Sequence, residues 1–216
     1  MSAELVARRP DHPIDPLFTS RWSPRSFTEE AVPDAVLAAA FEAARWAPSA
    51  LNAQPWRFIL ARPGEAAWPV FTALLGGRNA RWAPRAAALV LIVSARTADF
   101  RGQLADNPSH SFDAGAAWAN FAHQALLLGW HTHGIGGFDR EAARRELEIP
   151  EDFAIEALIA LGRRGAPELI DEDFHAGEAP NGRRPIAETV VSGTFNGSPP
   201  AFATLPSAHE LERSAT

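Results

Sequence analysis

Helical spacing of apolar residues marks three stretches of the chain. In residues 32–47 apolar side chains recur at helical spacing, Pro33 suits a first helical turn and Pro48 discourages continuation, so we predict an amphipathic helix. Residues 113–130 carry a longer and more apolar pattern, which indicates a central helix buried by its own domain or by a partner subunit. Residues 139–147 predict a shorter, charged helix that opens on an aspartate suited to cap it.

Short apolar runs predict β-strands between these helices. Residues 56–61 form a β-prone run, and residues 87–95 and 154–162 read as strands that are buried in a sheet. The chain therefore mixes helices and strands, and no internal repeat or break in composition divides it. We predict a single domain over residues 1–216, with residues 1–17 as an N-terminal extension.

The end of the chain has a looser pattern. Residues 163–216 contain prolines and glycines and show little periodicity, although an alternating, strand-like run starts with Ile186, Glu188 and Val190. A tail of this length that is apolar in patches is easier to explain if it wraps another surface, and a partner subunit is the obvious surface. We therefore expect residues 163–216 to form an extended C-terminal arm.

Composition and charge narrow the possible functions. The 216 residues are 46% hydrophobic and 21% charged, which is an ordinary balance for a folded globular protein. A net charge of −6 argues against a nucleic-acid partner, because such a protein needs a basic face to displace phosphate counterions. The absence of cysteine rules out disulfides, thiolate metal sites and cysteine nucleophiles, so any redox chemistry must come from a bound cofactor. No apolar run suits a signal peptide or a membrane span, and we expect a cytoplasmic protein with no membrane partner.

Two segments in the first quarter of the chain carry groups that suit a flat, anionic cofactor. Arg21 and Arg25 flank Ser23, and guanidinium forks together with a hydroxyl bind phosphate well. Residues 48–56 combine small and amide-bearing side chains, which can approach a heteroaromatic ring whose edge alternates hydrogen-bond donors and acceptors. Taken alone, each segment more often has no role in binding. The first is then solvated surface, and the second is a turn that ends in a core tryptophan.

Two later segments could complete such a site. Residues 134–139 form a glycine-rich turn before the charged helix, and glycines allow a backbone N–H to approach a ligand closely. The turn is not a dinucleotide fingerprint, because the third glycine, the P-loop lysine and the acidic ribose partner are all missing. Arg183 could add to a phosphate site begun by Arg21 if the tail returns to the first helix, although a basic surface pair with Arg184 is the commoner reading.

The histidines do not point to catalysis or to a metal. His110, His123, His131 and His133 are in or near apolar stretches, where a lone histidine is usually structural. His131 and His133 could suggest a metal pair, but no well-spaced third ligand accompanies them. We therefore predict no metal site and assign no catalytic role to these histidines.

Taken together, the four segments resemble the nitroreductase-like FMN-dependent oxidoreductases. The resemblance is carried chiefly by residues 21–27 and 47–58, and it covers about residues 18–191. It is extended by residues 79–85, by the 113–130 helix with Asn120, and by residues 135–139. The resemblance implies an α+β fold whose central sheet has four or five mainly antiparallel strands flanked by helices. It also implies an intertwined homodimer with an exchanged C-terminal strand and with FMN at the subunit interface.

The same resemblance assigns cofactor-binding roles to individual residues. Phosphate would be held by Arg21, Ser23 and Arg183. Arg25 would approach the pyrimidine edge, where a fixed cation stabilises the negative charge that reduction leaves on the ring. The other subunit would contribute residues from the 48–52 loop, Asn79 would bond to the ring edge, and the backbone N–H of Gly136 would point at N5. The implied set is Arg21, Trp22, Ser23, Arg25, Pro48, Ser49, Ala50, Asn52, Asn79, Ile135, Gly136, Gly137 and Arg183.

The sequence departs from the family pattern at three places, two of them in this set. Relatives often carry a basic residue or histidine where Trp22 stands, and a lysine near the position of Trp82. Both departures lower the positive charge around the cofactor, so we trust FMN more than any inherited substrate preference. Gly136 stands where many relatives have an acidic residue, and glycine preserves the backbone donor while it removes a side chain.

The resemblance implies ping-pong hydride chemistry. NADH or NADPH would reduce the flavin and leave, and a small electron-poor acceptor such as a nitroaromatic or a quinone would then take the same place. Two alternatives stay open: a specialised member of the superfamily, of the reductive dehalogenase or azoline dehydrogenase type, or a flavin-binding protein without nicotinamide-driven turnover. Residues 96–112 are too irregular to decide between them.

Overall fold

The computed structural model describes residue 8 and residues 10–205. These residues belong to two compact units, Arg21–Glu178 and a smaller unit that combines parts of Met1–Ser20 and Ala179–Thr216. Residues 163–178 of the predicted arm are therefore part of the larger unit. The division of the whole chain into one domain with two extensions stays a prediction.

The helices and strands alternate along most of the chain. The α-helices are α1 (Pro16–Ser20), α2 (Asp34–Arg45), α3 (Trp68–Ala73), α4 (His110–Leu127) and α5 (Arg140–Glu146). The strands are β1 (Trp56–Ala61), β2 (Ala88–Ala95), β3 (Thr97–Phe100), β4 (Gln103–Asp106), β5 (His131–Ile135) and β6 (Phe153–Gly162). Short 3₁₀ turns are Ala50–Asn52, Gly77–Arg81, Ala83–Arg85, Pro167–Leu169, Glu172–Gly177, Ile186–Glu188 and Ala201–Thr204.

A four-stranded sheet forms the centre of the larger unit. Its strand order is β1-β2-β6-β5, and every neighbouring pair is antiparallel. The two middle strands are mainly apolar, apart from Ser94 of β2 and Glu156 of β6, because each of their faces packs against protein. The expectation of an α+β fold with an antiparallel sheet flanked by helices is confirmed.

The alternation of side chains along β2 divides the core into two layers. Leu89, Leu91 and Val93 point to a layer that also contains Phe27, Phe71 and Trp82. Val90 and Ile92 point to the opposite layer, where the apolar faces of α2 and α4 cover the sheet. Phe27, in the first of these layers, ties the segment that contains Arg21, Ser23 and Arg25 to the core.

All three predicted helices are present in the structure, but their first and last residues differ from the prediction. The first is Asp34–Arg45, and Pro33 is its N-cap rather than part of its first turn. The central helix begins at His110 and ends before Gly129, whose φ of 78° is in the left-handed region that favours glycine. Asp139 caps α5 as predicted, because its carboxylate accepts a hydrogen bond from the Ala142 N–H.

Five elements were not predicted from the sequence: the short helices α1 and α3 and the strands β3, β4 and β5. β5 was not predicted, since its sequence His-Thr-His-Gly-Ile has one strongly apolar residue and a glycine, and its pairing with β6 supplies the strand. The irregular stretch after β2 contains the β3-β4 hairpin, whose second strand is exposed at every residue.

The smaller unit contains α1 and the C-terminal turns. The alternating run from Ile186 predicts a strand, but in the structure Ile186–Glu188 is a 3₁₀ turn. An exchanged strand takes its hydrogen-bond partners from a second chain, so the strand exchange itself stays a prediction. Within the part of the chain that is described, no helix combines the length and the apolar character that crossing a membrane requires.

Candidate functional site

The arginine-serine segment is fixed beside the end of β6. The Ser26 carbonyl accepts a hydrogen bond from the Gly165 N–H at 2.9 Å, and the Thr28 N–H donates to the Arg163 carbonyl at 3.1 Å. Between them Phe27 forms an antiparallel bridge to Arg164, and its side chain is completely buried. The segment therefore behaves as a short extra strand whose position is set by the core.

Extended backbone gives the segment two faces. Trp22 and Ser26 point inward, and the Trp22 ring is 7% exposed beneath the Arg164 guanidinium. Arg21, Ser23 and Arg25 alternate with them and remain partly exposed, and Arg21 donates a hydrogen bond to Ser23 Oγ at 3.3 Å. The three residues predicted to bind the cofactor thus share one face. The role of Trp22 in the cofactor site stays a prediction.

Arg25 belongs to a group of three arginines around one buried phenylalanine. The guanidiniums of Arg25, Arg78 and Arg81 lie 5.9, 4.4 and 4.9 Å from the centre of the Phe174 ring. Arg78 and Arg81 both pair with Asp173, and the Arg81 hydrogen bond holds the pKa of that carboxyl below its ordinary value. Among the described residues no ion pair engages the Arg25 side chain, which donates only to the Gly177 carbonyl at 3.3 Å. Arg25 therefore keeps a charge that can meet an anion.

His133 connects this segment to the β5 edge of the sheet. Its Nδ1 lies 3.0 Å from the Pro24 carbonyl, and its ring packs on Trp82 at 4.6 Å between centroids. Burial, assisted by the nearby Arg25 charge, lowers the pKa of His133 to about 4. Because a carbonyl only accepts, the neutral ring must carry its proton on Nδ1. His133 is thus a neutral residue that links β5 to the arginine-serine segment.

The glycine-rich turn after β5 lies next to the 3₁₀ turn that carries Asn79. Asn79 Nδ2 donates to the Gly137 carbonyl at 3.0 Å, while Asn79 Oδ1 accepts from the Trp82 indole at 3.2 Å. A Cβ added to Gly136 would have no atom within 4 Å, so open space lies beside that backbone. Since Pro24 contacts β5 through His133, the structure brings the arginine-serine segment, Asn79 and the glycine turn into one neighbourhood.

The loop before β1 has a strained backbone. Leu51, Asn52 and Gln54 all have positive φ values, between 46° and 59°, which side chains with a Cβ seldom adopt. The strain is held in part by Asp113 of α4, which is 4% exposed and accepts a hydrogen bond from the Ala50 N–H at 3.1 Å. The contribution of Pro48, Ser49, Ala50 and Asn52 to a cofactor site of another subunit stays a prediction.

Arg183 lies in the smaller unit. There its guanidinium donates to Asn181 Oδ1 and to the Gly182 carbonyl, and it lines a cavity of about 560 Å³. The predicted role of Arg183 in holding phosphate together with Arg21 stays a prediction.

A polar cluster at the start of α4 was missed by the sequence interpretation. Ser94 Oγ contacts both His110 Nδ1 and a carboxylate oxygen of Glu156, and Ser111 Oγ donates to the same carboxylate at 2.7 Å. The register of β2 with β6 shifts between Ile92 and Val93, and this irregularity leaves Glu156 outside the regular pairing. His110 therefore does have fixed partners. Across the described residues, no three metal-ligating side chains come together.

Comparisons with known proteins agree with this geometry. Residues 18–84 match the sequence profile of the Nitroreductase family, and this range contains the arginine-serine segment, the strained loop and Asn79. A Thermus thermophilus protein named NADH dehydrogenase is 30% identical, in an alignment that covers 66% of this chain and 82% of that protein.

Two solved structures share the fold. A crystal structure of an oxidoreductase containing FMN is 39% identical, with a TM-score of 0.85 over 92% of this chain and 100% of the other. A Desulfovibrio desulfuricans protein, assigned to the nitroreductases and crystallised in complex with FMN, is 25% identical, with a TM-score of 0.67 over 85% of this chain and 99% of the other.

Proposed function

This chain belongs to the nitroreductase family of oxidoreductases, and we propose that it binds FMN and uses NADH or NADPH to reduce a small electron-poor acceptor. Nitroaromatics and quinones are the acceptor classes that we expect. The two FMN-containing relatives, at 39% and 25% identity, support the choice of cofactor.

The single observation that carries the proposal is that the Arg25 guanidinium has no acidic partner among the described residues. Three guanidiniums surround Phe174, and acidic side chains pair with Arg78 and Arg81 but leave the Arg25 guanidinium without an ionic partner among the described residues. The Arg25 guanidinium is partly exposed, so its charge and its remaining donors are accessible to an anionic ligand. The negative charge of a reduced flavin pyrimidine ring is such a ligand.

The neighbouring groups also suit FMN. Arg21 and Ser23 offer a guanidinium and a hydroxyl for the phosphate on the same face as Arg25. Asn79 is held by two hydrogen bonds close to the glycine turn, and the open space beside Gly136 would let a flat ring lie against the backbone. Ile135 is buried beneath that turn and fixes it to the sheet. Arg183 would complete the phosphate site.

The chain's residues would bind and orient rather than transfer protons. FMN, when bound, supplies the hydride chemistry that links the nicotinamide to the acceptor in a ping-pong sequence. Arg25 would stabilise negative charge at the pyrimidine edge, and the backbone N–H of Gly136 would supply a hydrogen bond at N5. His133 is neutral and engaged with Pro24, so it is available neither as an acid nor as a charged ligand.

We further propose that the protein works as a homodimer with FMN at the subunit interface. Leu51 and Phe112 are 80% and 83% exposed, and the Asp113–Ala50 hydrogen bond joins the two segments that carry them. Large exposed apolar side chains on two segments that are joined in this way suit a protein contact. In the dimer, Pro48, Ser49, Ala50 and Asn52 would reach the cofactor of the other subunit.

An anaerobic absorbance experiment tests the proposed function. The purified protein is reconstituted with FMN, and its spectrum is recorded before and after addition of NADH or, separately, NADPH. We expect bound oxidised flavin that bleaches within seconds with at least one donor. Bound flavin that stays oxidised would instead support a specialised superfamily member or a flavin-binding protein without turnover. A protein that takes up no FMN would overturn the proposal.

A further inference from the structure

One short stretch of the larger unit contacts both segments that would meet the flavin edge. Residues 171–178, which we call the Phe174 segment, contain the 3₁₀ turn Glu172–Gly177. On one side this segment contacts Arg25, and on the other side it contacts Arg78 and Arg81, which flank Asn79. Neither the composition nor the spacing of this segment suggests a role in the site.

Glu178 holds the backbone on which Arg25 sits. One of its carboxylate oxygens accepts hydrogen bonds from the N–H groups of both Arg25 and Ser26 at 2.9 Å, and the other oxygen accepts from Arg25 at 3.0 Å. Hydrogen bonds to an ionised acceptor are stronger than those between neutral groups. The carboxylate is therefore committed to the backbone and leaves the Arg25 side chain unneutralised.

The rest of the segment orients the Arg25 side chain. The Gly177 carbonyl accepts from Arg25 Nη1, and the Phe174 ring, 3% exposed, lies 5.9 Å from the guanidinium carbon. Arg78 and Arg81 anchor Phe174 from the other side through Asp171 and Asp173. The backbone, the guanidinium and the neighbouring 3₁₀ turn are thus fixed relative to one another by one stretch of eight residues.

We propose that Glu178 is a positioning residue for the flavin. Together with the rest of the Phe174 segment, it would hold the Arg25 cation at the place where the pyrimidine edge binds. The inference rests on the proposed function. A cation that is held in place before the ligand arrives strengthens binding, because the entropy cost of ordering its side chain is not paid on binding. It also favours the reduced, more negative form of the ring, which raises the reduction potential.

The sign of the potential change separates this role from a simple charge effect. Through space, the Glu178 carboxylate disfavours negative charge on the ring, so its removal alone would raise the reduction potential. If Glu178 acts by holding Arg25, its removal loosens the cation and lowers the potential. A residue that only supports the fold would move neither the potential nor FMN affinity once the protein is folded.

The test compares Glu178→Ala and Glu178→Gln with the wild type and with Glu168→Ala. Glu168 is an exposed carboxylate ten residues earlier in the chain, and it has no hydrogen-bond partner among the described residues. We expect Glu178→Ala to weaken FMN binding about tenfold and to lower the flavin reduction potential, because about one charge-assisted contact is lost. Glu178→Gln keeps one acceptor oxygen, so its FMN affinity and reduction potential should lie between those of the wild type and of Glu178→Ala. The Glu168 control should stay within about twofold in FMN affinity.

A double-mutant cycle shows whether the effect passes through Arg25. In an Arg25→Ala background, Glu178→Ala should change the FMN dissociation constant by less than about twofold, because the group it positions is gone. An undiminished effect in that background, or a raised potential in the single mutant, would overturn the positioning role. The role would also be overturned if the wild type binds FMN and Glu178→Ala binds it with the same affinity.

Folding and cofactor uptake are checked separately. Circular dichroism of the apoprotein verifies that each variant is folded, and Glu178→Gln carries the same comparison if Glu178→Ala does not fold. A folded wild-type protein that takes up no FMN would overturn the proposed function, and the inference with it. Loss of the Glu178 effect alone would leave the proposed function intact.

Discussion

Residues that look alike in sequence acquire different states from their neighbours. Arg25, Arg78 and Arg81 contact the same Phe174 ring, yet only the last two pair with Asp173. Likewise His133 is kept neutral by burial, while His110 is held between Ser94 and Glu156. Residue type alone does not distinguish these roles, because each depends on partners that are distant in sequence.

The depressed pKa of His133 predicts a pH dependence of stability. The folded-state pKa of about 4 is below the ordinary histidine value of 6.5, so between these values the unfolded chain binds a proton that the folded chain does not. The stabilisation is fully present above pH 6.5 and is lost as pH falls toward 4. We expect it to decrease by up to about 2 kcal/mol between pH 7.5 and 5.

Urea unfolding of the wild type and of His133→Asn at several pH values measures this effect. Asparagine keeps an N–H donor for the Pro24 carbonyl but does not titrate. The variant should therefore lose less stability on acidification, although its stability at neutral pH is lower because the packing on Trp82 is reduced. Part of the slope should persist, since burial also lowers the pKa values of His123 and His131. Identical slopes for both proteins would contradict the assignment.

Close packing at the element scale sets the position of the arginine-serine segment. A Cβ on Gly162, the last residue of β6, would stand 2.6 Å from the Phe27 ring and 3.1 Å from the Phe27 Cβ. Only glycine lets the segment approach the strand this closely. The glycine turn after β5 is different, because Gly136 has open space beside it. Gly162 is therefore required for packing, whereas the backbone at Gly136 leaves room for a side chain.

This difference predicts opposite outcomes for two alanine substitutions. Gly162→Ala should lower the free energy of unfolding by about 1–3 kcal/mol, because the added methyl overpacks the contact with Phe27. Gly136→Ala should change it by less than about 0.5 kcal/mol and should retain FMN, since the backbone N–H is preserved. Urea denaturation and FMN titration measure both quantities. Equal destabilisation by the two substitutions would refute the distinction.

At the scale of the whole molecule, apolar surface remains that the described residues do not cover. Leu51 lies on the strained loop and Phe112 on the first turn of α4. A partner that buries both would offset the cost of the positive φ values in the loop. Strain and exposure at the same place are consistent with a surface built for a second copy of the chain.

Disruption of this surface should dissociate the proposed dimer. We expect Phe112→Glu to shift the sedimentation coefficient from dimer to monomer at micromolar concentration and to weaken FMN retention at the same time, because a buried unpaired carboxylate is costly. Leu104→Glu, on the exposed strand β4, is the matched control, since Leu104 is 76% exposed. A Phe112→Glu variant that remains dimeric, or dissociation by the control alone, would place the interface elsewhere.

The sequence by itself determined the elements with strong local patterns. The helix α2, the strand β1 and the Asp139 cap follow from periodicity and capping, which act over a few residues, and residues 21–27 and 47–58 indicated the family. Only the tertiary structure decided β5, because pairing with β6 and not its own residues makes it a strand. The tertiary structure also decided that Arg25 has no ion-pair partner among the described residues. It likewise decided the hydrogen bonds of Glu178, which join residues about 150 positions apart. Local patterns specify elements, whereas charges and hydrogen bonds at the site depend on which distant segments the fold brings into contact.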